Sequence, residues 1–328
     1  MDIRLIPDLI RQWIDIHLLT DAMYRELPED DRDDWSDLPW NRYQNFYGVL
    51  VPVIIHDALF RLHQVPKDPE LRKVASAQAL VTGIFDDLFD RLHLPGDRIR
   101  ALMETPDYII SSEHLEEYLC QYLLREIYKH FSGNQHLLDK SISGIIRAQQ
   151  SSAQQRTESN RQSPQADLHK NDLIHITKEK GAKAVLFYRS CINRSLTTEE
   201  DLFLAELGAM LQMTNDINDA LKDHQNGEVT IMTLGLPLQE VRTIFDDQLK
   251  LVREARKALS DERYYTEGLF YRIHILVARS LVTLDRYAQI VDASEPFDIR
   301  DIPPNKVISG LDIKKIPSWR RYYREMSD

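Results

Sequence analysis

Glycine is scarce in this chain, with 11 in 328 residues, and strand-like alternation of apolar and polar residues is almost absent. Both absences exclude a sheet-based fold, which needs period-two patterning and frequent turns. There are two cysteines, Cys120 and Cys191. They lie far apart and lack metal-ligand spacing, which excludes a disulfide framework and a zinc site and fits free thiols in a reducing cytoplasm. A basic surplus is missing too: the net charge is −11 and the pI about 5.5. That argues against nucleic acid as a main partner. No run approaches the roughly 18 apolar residues of a membrane span. The start, "MDIRLIPDLIRQWIDIHLL", is amphipathic and interrupted by charge, unlike a signal peptide. The expectation is a soluble cytoplasmic protein without an integral membrane segment.

What is present is helical periodicity. Apolar residues recur every three or four positions over 45–63, 71–93, 113–131, 137–155, 168–191, 198–224, 238–259 and 263–292. Start signals agree: Thr197 and Thr198 precede "EEDLFLAELGAMLQ", and Pro237 opens "PLQEVRTIFDDQLKLVREA". The fold class is all-α, with ten or more helices. An acidic, proline-punctuated stretch (27–40) and a polar one (156–172) read as irregular. The second reads as a loop within one bundle, so residues 1–328 are expected to form a single domain.

Two acidic stretches interrupt this pattern. "GIFDDLFDRL" (83–92) sets Asp86, Asp87 and Asp90 among apolar residues. At about 100° per residue the three share one helix face. Ala75, Ala79, Thr82 and Gly83 continue that face with small side chains, which predicts room for a ligand. A solvent-facing acidic turn fits the same spacing. In "LGAMLQMTNDINDALKDHQNGEV" (207–229), Asn215, Asp219 and Asp223 form an i, i+4, i+8 stripe that Gln212 and Gly208 extend, with Asp216 at its border. One such helix fits a wet face; two suggest paired use. Mg²⁺ takes oxygen ligands and is commonly held by a few carboxylates with phosphate oxygens. Facing carboxylate helices would hold several Mg²⁺ ions around a diphosphate and assist its departure as Lewis acids.

On these residues the chain resembles the class I isoprenoid (terpene) synthase superfamily. "DDLFD" matches its first motif, D-D-x-x-D. "NDINDALKD" is similar to the terpene synthase second motif, with Asp at the Ser/Thr and Glu positions. "LQMTNDINDALKD" also resembles the squalene and phytoene synthase pattern Q-x-T-N-x-x-x-D-x-x-x-D, through Gln212, Thr214, Asn215, Asp219 and Asp223. The resemblance implies a single large helical bundle with a central cavity. It implies a prenyl diphosphate substrate and three Mg²⁺ ions around the bound diphosphate. Metal ligands would be Asp86, Asp87, Asp90, Asn215, Asp219 and Asp223, with Asp86 and Asn215 essential to catalysis.

No G-G-K segment and no R-R-G after the first motif occur, which disfavours chain elongation. Lys180 and Lys183 in "HITKEKGAKAVLFYRS", and the pair Arg286–Tyr287, are the diphosphate-binding candidates; Arg321–Tyr322 is a second such pair, and Arg91 a weaker candidate. All fit a solvated helix face equally. Gln149 and Ser152 are polar residues in a helix that reads as surface. Phe85, Phe89, Gly83 and Gln212 are assigned to the pocket, with Tyr47, Phe187 and Tyr188 nearby; aromatic walls suit an allylic cation. Three readings stand: a terpene synthase giving a hydrocarbon or alcohol, a head-to-head prenyltransferase, and a non-catalytic helical partner subunit. A homodimer through bundle helices is a further implication of the resemblance.

Overall fold

The computed structural model describes residues 5–105, 114–152, 155, 170–259, 262 and 264–307. Among these, ten α-helices and no strands occur, so the protein is all-α. The helices are α1 (Ile6–Glu26), α2 (Asp57–Leu62), α3 (Pro69–Asp90), α4 (Gly96–Glu104), α5 (Leu115–His130), α6 (Gln135–Ser152), α7 (Lys170–Arg189), α8 (Thr198–Gln225), α9 (Leu238–Ala258) and α10 (Thr266–Tyr287). The acidic stretch 27–40 contains two short 3₁₀ turns, Glu29–Asp31 and Asp33–Asp37. Most of the polar stretch 156–172, and the pair Arg321–Tyr322, lie outside the described residues.

The described residues fall into two compact units. The first draws on Met1–Gln149, Leu186–Leu196 and Asp261–Arg272, and the second on Gln150–Val185, Thr197–Ser260 and Ile273–Asp328. The first acidic motif belongs to the first unit and the second motif to the second.

In the first unit, α3 is the central helix. Asp68 caps it, accepting from the Leu71 N–H at 2.8 Å, and Pro69 occupies the first turn. Its run of Ala75, Ala77, Ala79 and Gly83 lets neighbours approach closely. It packs on α5 and on the segment 41–56. That segment departs from the α-helix predicted over 45–63: Asn41–Leu50 and Pro52–His56 are wound as π-helix. Such winding, with i→i+5 hydrogen bonds, is rare and concentrates at functional sites. The ring of Tyr47 fills the space that a side chain at Gly83 would occupy. The room predicted beside Gly83 is therefore taken by protein. The stretch 41–62 is, against expectation, long and apolar enough to cross a membrane, but 72% of its apolar window is buried inside the protein, as in a core helix.

In the second unit, Thr197 caps α8 by accepting from the Glu200 N–H at 3.2 Å, and α9 starts after Pro237. A Cβ on Gly181 of α7 would strike the backbone carbonyl of Gly208 on α8, and the reverse clash holds at Gly208. The two helices therefore cross at a pair of glycines. Gly208 serves this crossing. The obstacle is backbone, which cannot rotate aside as a side chain can. Gly181→Ala is expected to lower stability by about 1–3 kcal/mol in urea unfolding; an unchanged midpoint would contradict the tight crossing.

Candidate functional site

The first motif ends α3. Asp87 is buried at 3% exposure, and a buried carboxylate needs partners. It has three. Tyr43 Oη donates to Oδ2 at 2.6 Å, Arg42 Nη1 pairs with Oδ1, and Arg91 Nε lies 3.4 Å from Oδ2. Arg91 also pairs with Glu116, so this sequence candidate is committed to protein carboxylates. Asp86 is half-buried. Tyr47 Oη donates to it at 2.6 Å, and Arg42 Nη2 stands 3.6 Å away. Asp90 accepts from Gln149 Nε2 at 3.2 Å. Gln149 and Ser152 are both buried, which corrects the surface reading of that part of α6.

The π-helical winding explains how one short segment reaches both aspartates. Arg42 and Tyr43 lie one turn before Tyr47, and Arg42 Nη2 donates to Tyr47 Oη at 3.2 Å. Burial opposes the Arg42 charge, but Tyr47, Asp86 and Asp87 more than offset it and raise its pKa. Burial, then the bond to Asp87, holds the Tyr43 phenol protonated; burial and Asp86 do the same for Tyr47. Phe85 and Phe89 are buried with ring centroids 5.1 Å apart, an edge-to-face pair of the core.

The second motif lies on α8 and is built differently. Asn215 is the first member of the predicted stripe, and Asp216 lies at its far border. The structure turns Asp216 inward and leaves Asn215 exposed. Asp216 Oδ1 accepts from Gln212 Nε2 at 3.0 Å, and Thr177 Oγ1 of α7 is 3.4 Å from Oδ2. Burial pushes Asp216 up to about 6, against the hydrogen bond from Gln212 and the charge of Lys180. Asp219 is half-buried, with Lys222 Nζ at 3.9 Å. Asp223 is buried and pushed up to about 8, first by burial and then by Asp216, Glu228 and Asp219, with Lys222 opposing. Four carboxylates thus lie close enough to act on one another, and Asp223 feels three of them against the single cation Lys222.

Of the basic candidates, Lys180 acts on Asp216, whereas Lys183 pairs with Glu179 at 3.4 Å. Tyr287 is buried and stacked on Phe297, and Arg286 is half-buried beside it. Arg279, two turns earlier on α10, is the arginine that feels both Asp219 and Tyr287. Its Nε is buried and makes no hydrogen bond. Sequence reasoning missed Arg42, Tyr43, Arg279 and Glu228. The signal for the first two was the Arg-Tyr dipeptide in "NRYQNFYG", four residues before a third candidate, Tyr47.

Among the described residues, no three His, Cys, Asp or Glu side chains converge tightly enough to hold a metal ion as they stand. The donor chemistry still separates the motifs. Asp216, Asp219, Asp223 and Glu228 offer oxygens, the donor type that a hard divalent cation takes. Asp87 does not fit, because two guanidinium groups and a phenol already occupy it. Compared with known proteins, the chain matches no family model and no characterised sequence.

The Asp223 shift has a testable sign. A folded pKa of about 8 against 3.8 means that the folded state keeps a proton the unfolded chain has released. The metal-free protein therefore loses stability as pH rises from about 4 through 8. In EDTA, Asp223→Asn is expected to melt above the wild type at pH 8, on the order of 5 °C, with the gap narrowing toward pH 5. Parallel melting curves across that range would contradict the assignment.

Proposed function

We propose that this protein is an Mg²⁺-dependent enzyme of the class I isoprenoid synthase type. It ionises a prenyl diphosphate, releasing diphosphate and giving a terpene hydrocarbon or alcohol. The observation that carries the reading is the carboxylate cluster of α8, in which the buried Asp223 feels Asp216, Glu228 and Asp219 against one cation, Lys222. Asp219 and Asp223, with Asp216 beside them, would hold metal, which supplies Lewis-acid assistance to the leaving diphosphate. In the first motif, Asp86 accepts from Tyr47 with Arg42 at 3.6 Å, and Asp90 accepts from Gln149. Lys180, Lys222 and Arg279 all act on the second motif, and Lys180 and Arg279 would orient the diphosphate. Cytoplasmic residence belongs to the same reading and is supported by Cys120 and Cys191, both free and buried.

A second reading has a specific observation in its favour. With Asp87 engaged by Arg42, Tyr43 and Arg91, the first motif reduces to Asp86 and Asp90. That is the D-x-x-x-D spacing of the squalene and phytoene synthase pattern, in which two prenyl diphosphates condense head to head.

The test is incubation of purified protein with Mg²⁺ and, separately, geranyl, farnesyl and geranylgeranyl diphosphates. Metal-dependent pyrophosphate release is expected, lowered by about 100-fold or more in Asp86→Ala and in Asp219→Ala. A product with the substrate's carbon number supports cyclisation or water capture; a doubled number supports condensation. Absence of release from all three, with no stabilisation by Mg²⁺ and pyrophosphate, would overturn the proposal.

A further inference from the structure

We infer that a cavity lined by Arg61 and Arg272, away from both acidic motifs, binds the oxyanion group of a small molecule, a phosphate or a carboxylate. The inference is independent of the reading of α8. The cavity measures about 410 Å³, within the size range of small-molecule sites. Its walls come from Asp8 of α1, Arg61 of α2, and Tyr265, Glu267, Gly268 and Arg272 at the start of α10, all within the first unit. Lys67, which belongs to the same ion cluster, lies two residues before α3. The first motif ends that helix, about 30 Å away along its axis.

Arg272 is buried at 3% exposure. Its Nε pairs with Asp57, and its Nη2 donates to Asp8 Oδ2 at 2.5 Å. Its Nη1 is buried and makes no hydrogen bond. A buried charged donor without an acceptor is costly, and an absent ligand is one physical reason for it. Arg61 has open donors as well. Its Nε donates to Asp57 Oδ2 at 2.8 Å, its Nη groups hydrogen-bond to no described residue, and its side chain is 38% exposed. Both guanidinium groups lie on the Tyr271 ring, 5.8 Å and 5.7 Å from its centre, so one platform holds them. Lys67 pairs with Asp57 and stands 3.9 Å from Asp8. Three cations thus answer two carboxylates, and one positive charge is in excess. The cavity also meets the positive end of α10, which begins at Thr266. A Cβ on Gly268 would strike the Tyr265 ring and press on Arg61, so the glycine keeps these walls close. Glu267, exposed and paired with no described cation, is the group on this wall that opposes an anion. Arginine takes phosphate and carboxylate alike through paired N–H donors, which fixes the chemical class of the ligand.

The experiment is thermal melting of the full chain in EDTA with sodium phosphate, sodium acetate or sodium chloride at matched ionic strength. The wild type is expected to melt about 2–4 °C higher in an oxyanion, at roughly tenfold its dissociation constant, than in chloride. A rise in phosphate alone assigns a phosphate ligand, in acetate alone a carboxylate, and in both an oxyanion of either kind. Arg61→Gln should lose most of the rise, and Arg272→Lys, which keeps the charge but not the fork, at least half. Glu267→Gln should enlarge it. Asp219→Asn, on α8, should leave it unchanged. Should Arg272→Lys fail to fold, the half-exposed Arg61→Gln carries the test. No rise above chloride in the wild type, a full rise in Arg61→Gln, or loss of the rise in Asp219→Asn overturns the site.

Discussion

Asp87 is the constraint around which the first unit is arranged. A carboxylate this deeply buried is tolerated only when its charge is answered, and removing one partner of a buried pair costs about 3–5 kcal/mol. Three side chains from two directions answer it. Arg91 follows it on the same chain, and Arg42 and Tyr43 come from the π-helical segment. That segment must in turn lie tight against α3. Gly83 permits this by leaving room for the Tyr47 ring, and Tyr47 then reaches Asp86. The burial of Asp87, the winding of 41–56 and the glycine at 83 are thus linked through one ion cluster.

The two acidic motifs solve the same electrostatic problem in opposite ways. Around Asp86 and Asp87 the protein supplies its own cations and phenols. Around Asp223 it supplies more carboxylates, and burial raises the proton affinity of the group. A protein built only for stability gains nothing from the second arrangement, since a protonated carboxyl in that place serves no pairing. The arrangement becomes useful when an external cation is available.

Much of this was legible in the chain. The period of three to four placed eight helical segments close to where helices occur, and Thr197 and Pro237 marked two starts because capping is local chemistry; α1 and α4 were not among those segments, and the Asp68–Pro69 start of α3 was not read. The π-helical winding of 41–56 was not legible, since its apolar residues fit an α-helix as well. Nor was the pairing of Arg42 with Asp87, which joins residues 45 positions apart and depends on tertiary packing. Spacing put Asn215 in the stripe and Asp216 at its border, and the inward turn of Asp216 was not legible. That turn is set by α7, which crosses α8 at Gly181 and Gly208 and so brings Thr177 and Lys180 to the Asp216 side. Arg279 was not legible, because it and Tyr287 are related by two helical turns rather than by adjacency in the chain.

The claim on which the account turns is that the α8 carboxylates hold divalent cations. Mn²⁺, an oxygen-preferring stand-in for Mg²⁺, can be counted directly by electron paramagnetic resonance in the presence of pyrophosphate. The account predicts stoichiometric binding to the wild type, with fewer ions bound in Asp219→Asn and in Asp223→Asn and no change in Asp246→Asn, which alters a surface carboxylate paired with Arg242. Stoichiometric binding that survives both α8 substitutions, or no binding by the wild type, would contradict it.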